Sequence, residues 1–224
     1  MRRLVAGLFG SALLLSAATA GAQTTSAPVT TAGPAVETFY GAVFGGAGVV
    51  HRWGPTAGVE VGVRIRRNLD LIGEGVWVKD TSTQAEETSL KPLVEYLEVT
   101  QRTSASAKME APTFMGAAGL RWVFERNGAW RPYILGTVGM ASIDRQTTFA
   151  LSGTDITSAI ATYGITLGRD LSGRESVLTF GGGVGVLRVS TKWYLDAGVR
   201  YSNLQPEAGS VNLFRARLGV GIRF

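Results

Sequence analysis

The stretch Phe214-Arg215-Ala216-Arg217-Leu218-Gly219-Val220-Gly221-Ile222-Arg223-Phe224 closes the chain and decides its fold. Phe214, Ala216, Leu218, Val220, Ile222 and Phe224 are apolar, and every position between them is Arg or Gly. Successive side chains of a strand point to opposite faces, so this period of two makes one apolar face and one cationic or side-chain-free face. Wound as a helix, the segment would bring Arg215, Phe214 and Leu218 onto one surface, which suits neither water nor a core. As a strand it separates two environments, with apolar groups toward lipid and arginines toward a lumen. Membrane-spanning strands need about 9–11 residues of this kind.

The same period recurs upstream. Val59, Val61, Val63 and Ile65 alternate with Glu60, Gly62, Arg64 and Arg66. Phe114, Gly116, Ala118, Leu120, Trp122 and Phe124 alternate with Met115, Ala117, Gly119, Arg121 and Val123. Trp193, Leu195, Ala197, Val199 and Tyr201 alternate with Tyr194, Asp196, Gly198, Arg200 and Ser202. Residues 69–79 fit with Asp70 and Glu74 inward. Segments 38–50, 132–143 and 177–187 are diluted by glycine, and their period leaves the facing open. Together these segments predict an all-β protein, an eight-stranded antiparallel transmembrane β-barrel built as a meander.

Connection lengths support that layout independently. Arg67-Asn68, Arg126-Asn127-Gly128-Ala129 and Val189 to Lys192 are short, and Asn-Gly is favoured in tight hairpin turns. On the other rim, residues 80–108, 144–175 and 205–210 are longer, and only His51 to Thr56 is brief. Short periplasmic turns and longer extracellular loops are the layout of an outer-membrane barrel. Aromatic residues gather at both rims: Phe124, Trp130, Tyr133, Trp193 and Phe224 near the short turns, and Trp53, Trp77, Phe114, Tyr201 and Phe214 near the long loops. Two such rims match interfacial girdles, where a ring is half apolar and half wet.

The beginning of the chain is different. Met1-Arg2-Arg3 is a short basic region, Leu4 to Ala18 is apolar, and Ala18-Thr19-Ala20 and Ala20-Gly21-Ala22 offer small residues for cleavage. This pattern predicts a secretory signal peptide over residues 1–22, with the mature chain starting at Gln23. Residues 23–36, rich in Thr, Ala and Pro, read as a flexible periplasmic lead-in, and residues 37–224 as the barrel domain. No other stretch approaches about 18 consecutive apolar residues, so a membrane-inserted chain must cross as a closed barrel.

Composition narrows the functional classes. Charged residues make up only 17% against 45% hydrophobic, which is too apolar for disorder. A net charge of +5 is partly the leader's Arg2 and Arg3, and no basic cluster follows a phosphate backbone, so no nucleic-acid partner is expected. Without cysteine there are no disulfides or thiolate metal sites. The 30 glycines match neither a dinucleotide fingerprint nor a P-loop, and read as residues of a curved sheet. His51, the single histidine, lacks the Ser and acidic partners of a triad and reads as a first-loop residue. No catalytic, cofactor or metal residue is expected, and the chain does not read as an enzyme.

The inward charges are the informative polar set. Glu60, Arg64, Asp70, Glu74, Arg121, Asp196, Arg200, Arg215, Arg217 and Arg223 all face the lumen in this register. Unpaired charges in a narrow, side-chain-filled lumen are costly, so a carboxylate–arginine network plugging the barrel is expected. Between Thr88 and Glu98, the spacing of Leu90, Leu93, Val94 and Leu97 gives one helical face or a strand above the membrane, with Pro92 tolerated only in a first helical turn. Residues 144–175 read as a solvated loop or extended hairpin, in which Asp155 and Asp170 do not make a calcium site.

Three segments resemble a known family. Leu218-Gly219-Val220-Gly221-Ile222-Arg223-Phe224 resembles the terminal strand of Gram-negative outer-membrane proteins. Arg131-Pro132-Tyr133-Ile134-Leu135-Gly136 and Trp193 to Tyr201 resemble the fifth and seventh strands of OmpA-like and opacity-like barrels. The resemblance covers residues 36–224 and implies that Phe224 is an assembly signal read by the barrel-assembly machinery, with periplasmic chaperones as transient partners. It implies an integral protein of the cell outer membrane in contact with lipid and lipopolysaccharide; because an eight-stranded barrel can stand alone, a monomer is expected. The chain stops at the barrel, so the peptidoglycan tether of OmpA itself is not implied. The functional expectation is a structural or surface-exposed barrel with loops available for adhesion or other contacts. The alternative is a narrow pore or an OmpW-like small-molecule conduit.

Overall fold

The computed structural model describes residues 39–124, 128–168, 171–207 and 209–224. The signal peptide, the cleavage site, the lead-in, the turn residues Arg126 and Asn127, and Asp170 lie outside the described residues. Among the described residues there are ten strands: β1 (Phe39–Val49), β2 (Trp53–Arg66), β3 (Leu69–Val78), β4 (Ala105–Glu110), β5 (Thr113–Val123), β6 (Trp130–Leu151), β7 (Thr154–Asp155), β8 (Gly173–Val189), β9 (Trp193–Leu204) and β10 (Val211–Arg223). One α-helix, α1 (Gln84–Gln101), lies between β3 and β4, and a short 3-10 helix spans Thr157–Tyr163.

Eight of the strands close a ring. Each pairs antiparallel with its neighbours in the order β1-β2-β3-β5-β6-β8-β9-β10, and β10 returns to β1. The closing ladder runs from Tyr40 opposite Arg223 to Val49 opposite Phe214. Closure leaves no open edge in the ring, which is the condition for a sheet to stand in lipid. The expected eight-stranded meander is therefore present, and β4 and β7 are additions to it. Both pair with the far end of β6, which outruns its ring partners. Residues 144–151 belong to β6 rather than to a loop, because β8 pairs with 144 and 145 and β4 with 146–151.

Facing follows the alternation. Val61, Phe114, Leu218 and Ile222 are more than half exposed, while Glu60, Arg121, Arg200, Arg215 and Arg217 are buried. A continuous outward belt of Val, Leu, Ile and Phe exceeds what water tolerates on a monomer. Of the rim aromatics, Tyr133 is the exception: it is 1% exposed and points into the lumen, not into a girdle. The glycine-diluted period of its strand had left its face open. Arg66 is exposed because β2 is irregular between Arg64 and Arg66, which shifts the last residues of the strand out of register.

Inward glycines also have a use beyond curvature. A Cβ at Gly62 would collide with the Tyr40 ring, and one at Gly221 with the Tyr194 ring. These two positions are the seats on which lumen tyrosines rest.

The 84–101 segment is a helix with a complete capping box, in which Thr83 Oγ1 accepts from the Glu86 N–H and Glu86 accepts from the Thr83 N–H. Pro92 sits in the middle of it, not in the first turn. The helix continues through the proline because Leu90 and Leu97, on either side, are buried in one apolar cluster. No helix among the described residues is long and apolar enough to cross a membrane.

Candidate functional site: the lumen and the outer crown

The lumen is filled in three zones. Toward the long loops, Phe44, Val76, Val78, Met115, Ile143, Leu204 and Leu213 pack into one apolar cluster. Toward the short turns, Ala42, Ile72, Val123, Tyr133, Leu135, Leu187 and Tyr194 form another. The charges lie between them.

Glu60 is the hub of that middle zone. Its carboxylate accepts from Arg121 at 2.9 Å and from Arg217 at 2.6 Å, and Arg200 stands 3.9 Å away. Arg217 also donates to Asp196 and lies 3.6 Å from Glu74. Glu74 accepts from Arg215 at 3.2 Å, and the same nitrogen of Arg215 donates to Ser202. Asp70 pairs with Arg121 at 3.5 Å and with Arg64 at 3.9 Å. The geometry thus joins Glu60, Arg64, Asp70, Glu74, Arg121, Asp196, Arg200, Arg215 and Arg217 into one set that draws on β2, β3, β5, β9 and β10. Arg223 lines the short-turn mouth together with Arg64, Asp70 and Arg121.

Aromatic rings complete the network, and the sequence did not single them out as partners. Tyr133 donates to Asp196 at 2.6 Å and accepts from Arg200 at 2.9 Å. Arg121 lies over the Tyr40 and Tyr133 rings at 4.9 and 5.2 Å, and Arg217 over Phe44 at 4.4 Å. A ring face is attractive to a guanidinium that has lost its water. Alternation could have placed Tyr40 and Tyr133 inward once the facing of β1 and β6 was known.

The long-loop end carries a small crown with a core of its own. Leu90, Leu97, Met109, Phe149, Ile156, Ile160, Ile165 and Leu171 pack together from α1, β4, β6, the 3-10 helix and the segment before β8. Arg145 ties the crown to the ring, donating to Glu86 of α1 at 2.8 Å and to Glu175 of β8 at 2.7 Å. Asp80 accepts from the Ser82 and Ala111 backbones, fixing both ends of the excursion. The Asp155 carboxyl is held below the usual carboxylate range by the Thr157 hydroxyl and N–H. A groove of about 790 Å³ runs between α1 and β4, lined by Leu90, Val94, Lys91, Lys108 and Met109, with Arg52 and His51 beside Glu87 at 2.7 and 3.6 Å. His51 thus lies in the first outer connection, against a carboxylate. Among the described residues, no group of three or more His, Cys, Asp or Glu is placed to hold a metal.

A closed ring with a lipid-compatible exterior and a charged interior is the architecture of a transmembrane barrel, and a sequence model of the outer membrane protein beta-barrel domain matches residues 10–224. The chain belongs to that family. Among solved structures, the surface protein NspA of Neisseria superposes with a TM-score of 0.53 at 14% identity, covering 84% of this chain and 98% of that one. Ail, the attachment invasion locus protein of Yersinia pestis, gives 0.47 at 14% identity, over 84% and 100%. The N-terminal barrel of Pseudomonas aeruginosa OprF gives 0.46 at 15% identity, over 84% and 98%. No curated protein sequence matches the chain. The family makes this an outer-membrane β-barrel protein, and the NspA likeness bears out the fold.

Proposed function

We propose that this outer-membrane barrel is closed, with a structural and surface-exposed role rather than a conducting one. The observation that carries this reading is the filled lumen: the network centred on Glu60 lies between two apolar clusters. An eight-stranded interior has room for side chains and little else. Glu60, Arg64, Glu74, Arg121, Asp196, Arg200, Arg215 and Arg217 then serve to fix the barrel, and contacts with other surfaces fall to the crown. Loops on a rigid scaffold commonly carry the interactions of such proteins. The ordered core of this crown gives its groove a defined shape.

In this reading the chain is exported with a cleaved leader, stands alone as a monomer, and displays Phe224, 76% exposed, to the assembly machinery and to periplasmic chaperones on the way. No catalytic role is assigned to His51.

The test is conductance. The chain from Gln23 onward would be refolded in detergent, checked for heat-modifiable migration, and added to a planar bilayer. The expected outcome is an inserted and electrically silent barrel. Steady, reproducible openings would instead establish a narrow pore or an OmpW-like conduit.

A further inference from the structure

In the crown, β4 ends its sheet and pairs on one side, with β6. Which of its main-chain groups face away follows from the bonds at its two ends. The Ser104 carbonyl accepts from the Ser152 N–H, and the Pro112 carbonyl accepts from the Asp144 N–H. Even-numbered residues therefore turn their main chain toward β6. Neighbouring residues of a strand turn to opposite sides, so Ala105, Ala107, Met109 and Ala111 turn theirs away from it.

The chain caps both ends of this outer edge itself. Glu98 accepts from the Ala105 N–H at 3.2 Å. Asp80 accepts from the Ala111 N–H at 3.0 Å, and the Thr81 N–H donates to the Ala111 carbonyl at 3.0 Å. Asp80 and Thr81 thus make the first rung of a further strand, and the chain then turns away into α1. Between the two caps, the Ala105 carbonyl and both main-chain groups of Ala107 meet no partner among the described residues. Ala107 is half-buried, whereas Met109 is closed over at 1% exposure. Lys108, the one lysine of the strand, is paired with Glu110 along β4 at 2.6 Å. An open strand edge is a template for another strand.

The groove of about 790 Å³ lies along this edge. Leu90, Val94 and Met109 give it apolar lining, and its rim sets Arg52, Lys91 and Lys108 against Glu87, Glu95 and Glu98. The rim is balanced and selects for no net charge, while the apolar lining favours apolar side chains. The volume falls in the range of ligand sites, about 300–1,000 Å³. From Ala105 to Met109 the edge runs about 13 Å, room for about four extended residues.

We propose that this groove receives an extended segment of another protein, added to β4 as a strand with Ala107 at its centre. Main-chain hydrogen bonds hold the segment, and its alternate apolar side chains pack on Leu90, Val94 and Met109. The proposal deepens the reading of the crown as the contact surface. A conducting barrel would leave the edge as it is, and failure at the edge would leave the lumen closed.

The probe is the peptide acetyl-Thr-Val-Thr-Val-Thr-amide, whose residues favour an extended chain, added to the refolded barrel in lipid nanodiscs. Amide exchange is followed by NMR. Without peptide, the Ala107 amide should exchange fast while those of Ser106 and Lys108 are protected. At about ten times its Kd, the peptide should slow Ala107 exchange about tenfold and shift the methyl signals of Leu90, Val94 and Met109. The same peptide methylated on each main-chain nitrogen should do neither. Ala107→Pro removes the central donor without touching the β6 ladder, and should abolish the methyl shifts. Slow exchange of Ala107 in the free barrel, no effect of the plain peptide, or equal effects of the two peptides on the wild-type barrel overturns the proposal, however the variant folds. Protection of Ala107 that rises with barrel concentration alone assigns the edge to a second copy of the chain, and also overturns it.

Discussion

The barrel wall and the outer crown are made by one chain and obey opposite rules. In the wall, Val61, Leu218 and Ile222 face outward, and Glu60, Arg121 and Arg217 are buried. In the crown, Leu90, Leu97, Phe149 and Ile160 are buried, and Lys91, Glu95, Glu98 and Lys108 face out. The crown is an ordinary small globular core, and the wall is its inverse. The difference lies in the solvent. Lipid accepts the apolar face and gives the backbone no partners, so the wall must close on itself. Water does the opposite, so the crown needs a capped helix, a tethering arginine and an apolar interior.

This contrast can be broken at single residues, beginning where the effect is largest. Glu60→Gln leaves Arg121, Arg217 and Arg200 without their shared anion in a dry lumen, and should cost about 3–5 kcal/mol. Urea unfolding of the lipid-inserted barrel measures it, and a loss below about 1 kcal/mol would show the lumen to be wet. A charge on the wall comes next. Val61→Lys should cost about 2–4 kcal/mol in a bilayer, whereas Val99→Lys, at 73% exposure on the crown helix, should stay within about 0.5 kcal/mol. Equal costs for the two would erase the distinction between the surfaces.

Leu97→Ala creates a cavity in the crown core, with a cost of about 2–3 kcal/mol. Its effect should be local: hydrogen exchange should rise in α1 and β4 while the ring ladders keep their protection. Thr83→Ala removes the capping box and should cost about 1 kcal/mol, read as fraying at the start of α1. The smallest effect is at Asp155. Its carboxyl titrates lower in the folded crown than in the unfolded chain, so its contribution is present above the usual carboxylate range and is lost as pH falls through the folded value. Amide exchange at Thr157, followed against pH, should report it, and Asp155→Asn should flatten the profile.

The wall was legible in the sequence because its rule is local. The period of two in β10, β9, β5 and β2 assigns a face to each residue with no knowledge of its neighbours. Loop parity then orders the strands. Where glycine diluted the period, in β1, β6 and β8, the face of Tyr133 could not be read, and with it went the partner that joins Asp196 to Arg200. The charges could be listed from alternation, but their pairing depends on the ring's closure, which sets Arg217 against Glu60 across the lumen.

The crown was legible only in part because its rule is tertiary. The spacing of Leu90, Leu93, Val94 and Leu97 allowed either a helix or a strand, and Pro92 argued against a long helix. Packing against Met109, Phe149 and Ile160 decides the matter, and those residues come from segments far apart in sequence. The length of β6 has the same origin: residues 146–151 are strand because β4 lies beside them.

The central claim is the inversion of the wall, and β10 tests it most directly. The chain contains no cysteine, so single cysteines can be placed in turn at positions 214 to 222 and labelled with a fluorophore in lipid vesicles. Quenching by brominated lipid should be strong at Phe214, Ala216, Leu218, Val220 and Ile222 and weak at Arg215, Arg217, Gly219 and Gly221. A quenching pattern with a helical period, or with the two faces exchanged, would contradict the account.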